Sequence, residues 1–286
     1  MTAALTIEPV TGCIGGEIHG CDFRQPISAE VAIELRHALL RHKVLFCRQQ
    51  FLSIADQKQL TGVFGGLSQM PYIEPLADEP EVIAVLKEAS EVNRGVFGGD
   101  WHSDFSFLKI PPAGSVLNAV QVPAVGGDTL WANQITALER LPEALQQKII
   151  GRRAIHTGKP YGKADAPSLK SQSSAAIKMT RGDPTADHET FHPLIRQHPE
   201  SGQRALFVNP IYTTRIEGFT AEDSAPLLTQ LYHHATRPDI CCRWRWQAGD
   251  VVIWDNRATL HYAVNDYDGY RRLLYRSTFS DHRAPY

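Results

Sequence analysis

The chain has 286 residues, of which 43% are hydrophobic and 21% charged, with 21 Gly and 18 Pro. That is a globular composition and excludes a disordered, collagenous or coiled-coil chain. The 29 basic and 31 acidic residues nearly cancel, at a net charge of −2, so neither a nucleic-acid-binding face nor an acidic tail is expected. No apolar run approaches the length of a membrane span. The first ten residues lack a basic segment followed by an apolar one, so a cytoplasmic protein is expected. Cys13, Cys21, Cys47, Cys241 and Cys242 form no CxxC pair, which points to reduced, packing thiols rather than a disulfide framework or a zinc ribbon.

In chain order, the first expected helix covers 28–43. Ser28 can cap it, and Val31, Leu35, Ala38 and Leu39 recur at helical spacing. A second covers 56–64 and stops at Gly65-Gly66. A third runs over 136–150, with a kink or a restart at Pro142. A fourth covers 221–236. Strands are expected at 43–47, 82–86, 115–122, 205–209, 250–254 and 272–279. No interval repeats, and no βα alternation suggests a doubly wound sheet. The stretch 158–190 is rich in Gly, Lys, Ser, Ala and Asp and lacks a period; it is expected to be a mobile lid loop, because loops this long tend to be functional or disordered.

Chemistry concentrates in Asp100-Trp101-His102-Ser103-Asp104. On a strand, His102 and Asp104 project from one face and converge. Alone, the pair reads first as a hydrogen-bonded surface pair, and a third ligand changes that. Among the 12 histidines, His261 has the best setting to join it, since it follows the apolar strand that ends in Asp255-Asn256. Two His and one carboxylate leave open positions on an octahedral metal, which suits Fe(II) and oxygen chemistry. A structural zinc would want a fourth ligand, preferably thiolate. Arg272, Leu274 and Arg276 share one face of the following strand. Turn residues at 265–270 allow that strand to form a hairpin with the His261 segment. A guanidinium then lies near the metal, and a bidentate acid would satisfy it.

Motifs in order along the chain carry a resemblance. They are WHSD at 101–104, PPAG at 111–114, GGDTLW at 126–131, LFVN at 206–209, TTRI at 213–216, RWRW at 243–246, WDNR at 254–257, HYA at 261–263 and the pair Arg271-Arg272. The chain resembles the taurine dioxygenase family of Fe(II)- and 2-oxoglutarate-dependent oxygenases, the group that includes 2,4-dichlorophenoxyacetate dioxygenase and alkylsulfatase. The resemblance implies mainly β structure with flanking helices, a double-stranded β-helix or distorted jelly roll, as one oxygenase domain over 1–286. It implies iron ligands at His102, Asp104 and His261. The 2-oxoglutarate carboxylate falls to Arg272 and Thr129, with Asn118 approaching the cofactor, and the anionic group of the substrate falls to Arg276.

Two departures bear on the substrate. The position of a histidine that holds the sulfonate is Met70 here, and an expected asparagine is Gly98. Met70, Tyr72, Phe97, Gly98, Phe105 and Tyr212 would then shape a larger, more apolar pocket. The implied reaction is O2-dependent hydroxylation of a small organic anion other than taurine, with release of succinate and CO2. Cleavage of a sulfonate or sulfate ester is the alternative. The intact Asp104 favours hydroxylation over halogenation. A metal-dependent hydrolase would leave Arg272 and Thr129 without a ligand, and a non-catalytic jelly-roll binding protein would leave the triad without a task. No nucleic-acid or membrane partner is expected; a homo-oligomer is.

Overall fold

A computed structural model describes residues 5–163 and 176–286. The expected lid at 158–190 therefore lies partly outside the described residues, which include its two arms, 158–163 and 176–190. Helix α1 (Ala29–His42) starts where Ser28 accepts a hydrogen bond from Val31 N, and it ends at Lys43 with φ 65°. Helix α2 (Ile54–Phe64) opens on a capping box, in which Ser53 and Asp56 each accept the other's backbone N–H. Pro142 splits the expected third helix into α3 (Gln134–Glu139) and α4 (Glu143–Ile149), because its ring and missing N–H suit a first turn and not a helix interior. Helix α5 (Ala221–Ala235) is capped by Thr220.

The strands begin with β1 (Thr6–Pro9), β2 (Gly16–His19), β3 (Val44–Cys47), β4 (Gly66–Ser68), β5 (Val82–Lys87) and β6 (Gly114–Gln121). They continue with β7 (Thr129–Asn133), β8 (Arg153–His156), β9 (Thr190–Pro193), β10 (Ile195–Gln197) and β11 (Arg204–Leu206). The last are β12 (Thr213–Ile216), β13 (Cys241–Trp244), β14 (Val251–Asp255), β15 (Thr259–Ala263) and β16 (Arg272–Ser280). The largest sheet has the order β1-β2-β3-β14-β6-β16-β4, with β5 also paired to β16. Two three-stranded sheets have the orders β13-β7-β15 and β12-β8-β9.

Side chains alternate across the large sheet as strand geometry requires. Val116, Ile253 and Phe279 face α1 and α2, where they meet Leu35, Leu39, Leu60 and Phe64. Leu117, Trp254 and Leu274 point the other way and meet Trp131 and Trp244 of the β13-β7-β15 sheet. A third cluster beneath α3, α4 and α5 holds Leu145, Ile149, Leu228, Leu231 and Leu260. Cys242 is buried in the inter-sheet core, Cys241 is half-buried, and all five thiols are free. Among the described residues no helix is long and apolar enough to cross a membrane.

The hairpin expected between the His261 and Arg272 strands does not form. β15 pairs with β7, whereas β16 pairs with β4, β5 and β6. Each strand completes its ladder elsewhere, and the connection 264–271 passes from one sheet to the other with Tyr267 buried beneath it. His261 and Arg272 therefore face each other across the sandwich instead of along one sheet, which is how both come to point into the same interior.

Candidate active site

The turn from β14 to β15 organises the site. Asp255, at the end of β14, accepts hydrogen bonds from Arg257 N, Nε and Nη2 and from His198 Nε2. Asn256 projects the other way. Its Oδ1 accepts from Asp104 N at 2.7 Å and Ser103 Oγ at 3.1 Å, and its Nδ2 donates to the carbonyls of Asp104 and Pro112. The segment that launches His261 therefore also clamps Asp104. Backbone hydrogen bonds run both ways between His102 and His261, at 3.0 and 2.8 Å. His102 forms only this isolated bridge, and Asp104 stands in a turn rather than on the expected strand. The clamp, and not strand periodicity, brings the pair together. Phe105, next in the chain, has φ 46°, a strained conformation for an aromatic residue.

His102 Nε2 lies 3.6 Å and His261 Nε2 3.8 Å from the same Asp104 Oδ1. The three donor atoms fall within 4.8 Å of one another, and all three residues are buried. These separations exceed hydrogen-bond lengths but suit three ligands around one cation. His102 Nδ1 lies 2.8 Å from the Asp100 carbonyl. A carbonyl only accepts, so Nδ1 carries the proton and Nε2 keeps its lone pair. Burial, followed by the neighbouring His102, holds His261 well below the usual imidazole range, which keeps it neutral. Burial alone would raise the Asp104 carboxyl, but the neighbouring groups, led by the Arg276 guanidinium, outweigh it and hold the group well below the usual carboxylate range. The donor set of two imidazoles and one carboxylate fits Fe(II).

Beside the triad is a small cavity bordered by Gly98, Leu117, Thr129, Arg272 and Arg276. Arg272 is buried; its Nη2 lies 3.4 Å from Thr129 Oγ1, which also accepts from Trp246 Nε1 at 2.9 Å. The rings of Trp246 and Tyr267 lie 5.8 and 5.9 Å from its guanidinium carbon. Arg272 Nε is buried with no hydrogen-bond partner among the described residues, so a carboxylate in this cavity would complete it. Gly127, at φ 71°, backs onto Arg272, where a Cβ would lie 3.1 Å from Cδ.

One expected role changes. Asn118 lies on the face of β6 turned away from this cavity and donates to the Leu52 carbonyl at 3.0 Å; one step of strand alternation separates it from Leu117, which does border the cavity. Arg276 enters as the partner of Asp104, with Nη1 at 2.9 Å from Oδ1, while its Nε and Nη2 have no partner among the described residues.

A second cavity, of about 110 Å³, opens on the far side of His102. Phe97, Gly98 and His102 border both cavities. Tyr212 lines the outer one, as do Tyr161, Met179, Arg181 and Ile211, which sequence reasoning missed. Met70, Tyr72 and Phe105 belong to the same aromatic cluster but border neither cavity. Tyr72 stacks on Tyr161 with centroids 5.2 Å apart, and Phe105 does so at 5.9 Å. Asn256 and Trp246 were legible only as letters of the WDNR and RWRW motifs. Nothing in the aperiodic 158–190 stretch singles out Tyr161 or Arg181.

Two imidazoles and a carboxylate around one point, beside a buried arginine open to an organic acid, define the site of a metal- and oxo-acid-dependent oxygenase. The chain belongs to the family described as "Taurine catabolism dioxygenase TauD, TfdA family", whose model matches residues 6–278. It is 36% identical to the "Alkylsulfatase" of Acinetobacter baylyi, over 98% of this chain and 86% of that protein. It is 38% identical to the "Alpha-ketoglutarate-dependent sulfate ester dioxygenase" of Pseudomonas putida, over 96% and 89%. Among solved structures, a putative alpha-ketoglutarate-dependent taurine dioxygenase from Burkholderia xenovorans superposes with a TM-score of 0.81 at 34% identity, covering 99% of this chain and 94% of that one. This chain is a 2-oxoglutarate-dependent dioxygenase.

Proposed function

We propose that the protein hydroxylates a small organic anion with an apolar body, with His102, Asp104 and His261 holding Fe(II) and Arg272 with Thr129 holding the distal carboxylate of 2-oxoglutarate. One observation carries the reading: both Nε2 atoms address a single Asp104 oxygen beside the cavity that Arg272 borders. The metal, when bound, supplies a centre for joint activation of O2 and the oxo acid, with succinate and CO2 released. The chain's own residues do the rest. Arg276 keeps Asp104 ionised and oriented. Asn256 fixes the Asp104 backbone. The aromatic walls of the outer cavity exclude water and bind apolar surface. The layered sheets fit a double-stranded β-helix, with 1–286 as one oxygenase domain.

Taurine is disfavoured, because Gly98, which borders both cavities, supplies no polar contact for a small zwitterion, and the outer cavity is walled by Phe97, Tyr161 and Tyr212. A second reading, cleavage of a sulfate ester after hydroxylation, is favoured by the likeness to an alkylsulfatase and a sulfate ester dioxygenase at 36% and 38% identity. The test is succinate formation with Fe(II), 2-oxoglutarate and a panel of taurine, alkyl sulfonates, alkyl sulfates and aryloxy acids. An alkyl or aryl anion should exceed taurine at least a hundredfold in kcat/KM, about 2.7 kcal/mol. Preferred turnover of taurine would overturn the pocket reading. Release of an aldehyde and inorganic sulfate from alkyl sulfates would establish the second.

A further inference from the structure

Trp246 is buried just beyond β13 and borders neither the inner nor the outer cavity. Its indole N–H nevertheless reaches the inner one indirectly, because it ends on Thr129 Oγ1, 2.9 Å away. Strand pairing sets this up. Trp244 of β13 is the register partner of Thr129 on β7, which brings the chain that leaves β13 alongside Thr129.

A hydroxyl has one hydrogen to donate and two lone pairs that accept. At Thr129 both lone pairs are addressed, by Trp246 Nε1 at 2.9 Å and by Arg272 Nη2 at 3.4 Å. The hydroxyl hydrogen itself has no acceptor among the described residues. Thr129 is buried and borders the inner cavity together with Arg272, whose Nε is a second buried donor without a partner. This end of the cavity therefore offers two unused donors, an O–H and an N–H. Were one lone pair of Thr129 free, the hydroxyl could turn oxygen rather than hydrogen toward the cavity, and a carboxylate there would be repelled. An indole removes that choice because its N–H only donates; an imidazole or hydroxyl in its place could accept the Thr129 hydrogen instead.

We propose that Trp246 is a positioning residue for 2-oxoglutarate. By donating to Thr129 Oγ1 it commits the Thr129 hydroxyl to donate into the inner cavity, where the distal carboxylate meets that O–H and the Arg272 Nε–H. This rests on the cofactor reading above and extends it to a residue outside the cavity.

Anaerobic calorimetric titration of 2-oxoglutarate into the full chain loaded with Mn(II) tests it as a double-mutant cycle. Trp246→Phe keeps an aromatic ring and loses the N–H, and it should weaken 2-oxoglutarate about fivefold or more. In a Thr129→Val background, where there is no hydroxyl to commit, the same change should weaken it less than about twofold. The Trp246 ring also lies over the Arg272 guanidinium, 5.8 Å from its carbon, so the N–H has to be separated from the ring's packing. Benzothienylalanine at position 246 puts sulfur where the N–H stood and keeps the two-ring shape. It should reproduce the Trp246→Phe loss, and it carries the test if Trp246→Phe does not fold. Mn(II) affinity should match the wild type throughout. An unchanged 2-oxoglutarate affinity in the benzothienylalanine protein would overturn the positioning role. So would an equal loss with and without the Thr129 hydroxyl, or a parallel loss of Mn(II) affinity; each leaves the cofactor reading standing. Failure of 2-oxoglutarate to bind the wild type would overturn both.

Discussion

Gly98 shows how narrowly single residues set this site. It stands at φ 77°, and a Cβ there would lie 3.0 Å from His102 Cε1. Its carbonyl accepts from Ala263 N at 2.8 Å, two residues past His261. Read from the sequence, Gly98 is a lost polar contact to substrate; in the structure it is also the clearance that lets the His102 ring stand where it does. Gly98→Val strains the left-handed backbone, which a β-branched residue rarely adopts, and presses on His102. It should therefore weaken metal binding at least tenfold, measured by equilibrium dialysis, with a far-UV circular dichroism spectrum like that of the wild type. Undiminished affinity would show that the ring shifts at no cost. Arg272→Lys keeps a charge but loses the fork. The dissociation constant for 2-oxoglutarate should rise tenfold or more, on the order of 1.4 kcal/mol, and an unchanged value would move that role to Arg276.

At the scale of elements, the helices were legible because their signals are local. Ser28, Ser53 and Pro142 mark ends that the backbone obeys. Strand pairing was less so. β15 and β16 look like a hairpin across 265–270, yet the choice between sheets depends on partners distant in sequence. Short strands such as β4 and β10 span too few residues to show an alternation. The β14–β15 turn is the element on which the site leans most, and Asp255 is its keystone. Burial would raise this carboxyl, but Arg257 and then His198 outweigh it and hold it well below the usual range. A depressed folded value contributes stability above the unfolded pKa, about 3.9, and loses it as pH falls toward the folded one. Asp255→Asn should cost about 3 kcal/mol near neutrality, since it leaves Arg257 partly unpaired. Its melting temperature should fall less steeply than the wild type's between about pH 5 and pH 3. Parallel slopes would remove Asp255 from the acid response.

For the whole molecule, the site is a seam. His261 comes from the β13-β7-β15 sheet, Arg272 and Arg276 from the large sheet, and His102 with Asp104 from a loop clamped by Asn256. The motifs made the ligand set legible, because metal chemistry restricts residue types at fixed spacing. The cavity lining from 158–163 and 176–190, Tyr161, Met179 and Arg181 among it, was not, because shape complementarity leaves no period in a sequence. The central claim is that this seam holds one metal ion through three residues. The direct measurement is anaerobic Fe(II) stoichiometry by equilibrium dialysis, for the wild type and for the folded variants His102→Ala, Asp104→Ala and His261→Ala. One Fe(II) per wild-type chain, with stoichiometric binding lost in each variant, is the expected result. Retention of one tightly bound Fe(II) per chain in any of the three would contradict it.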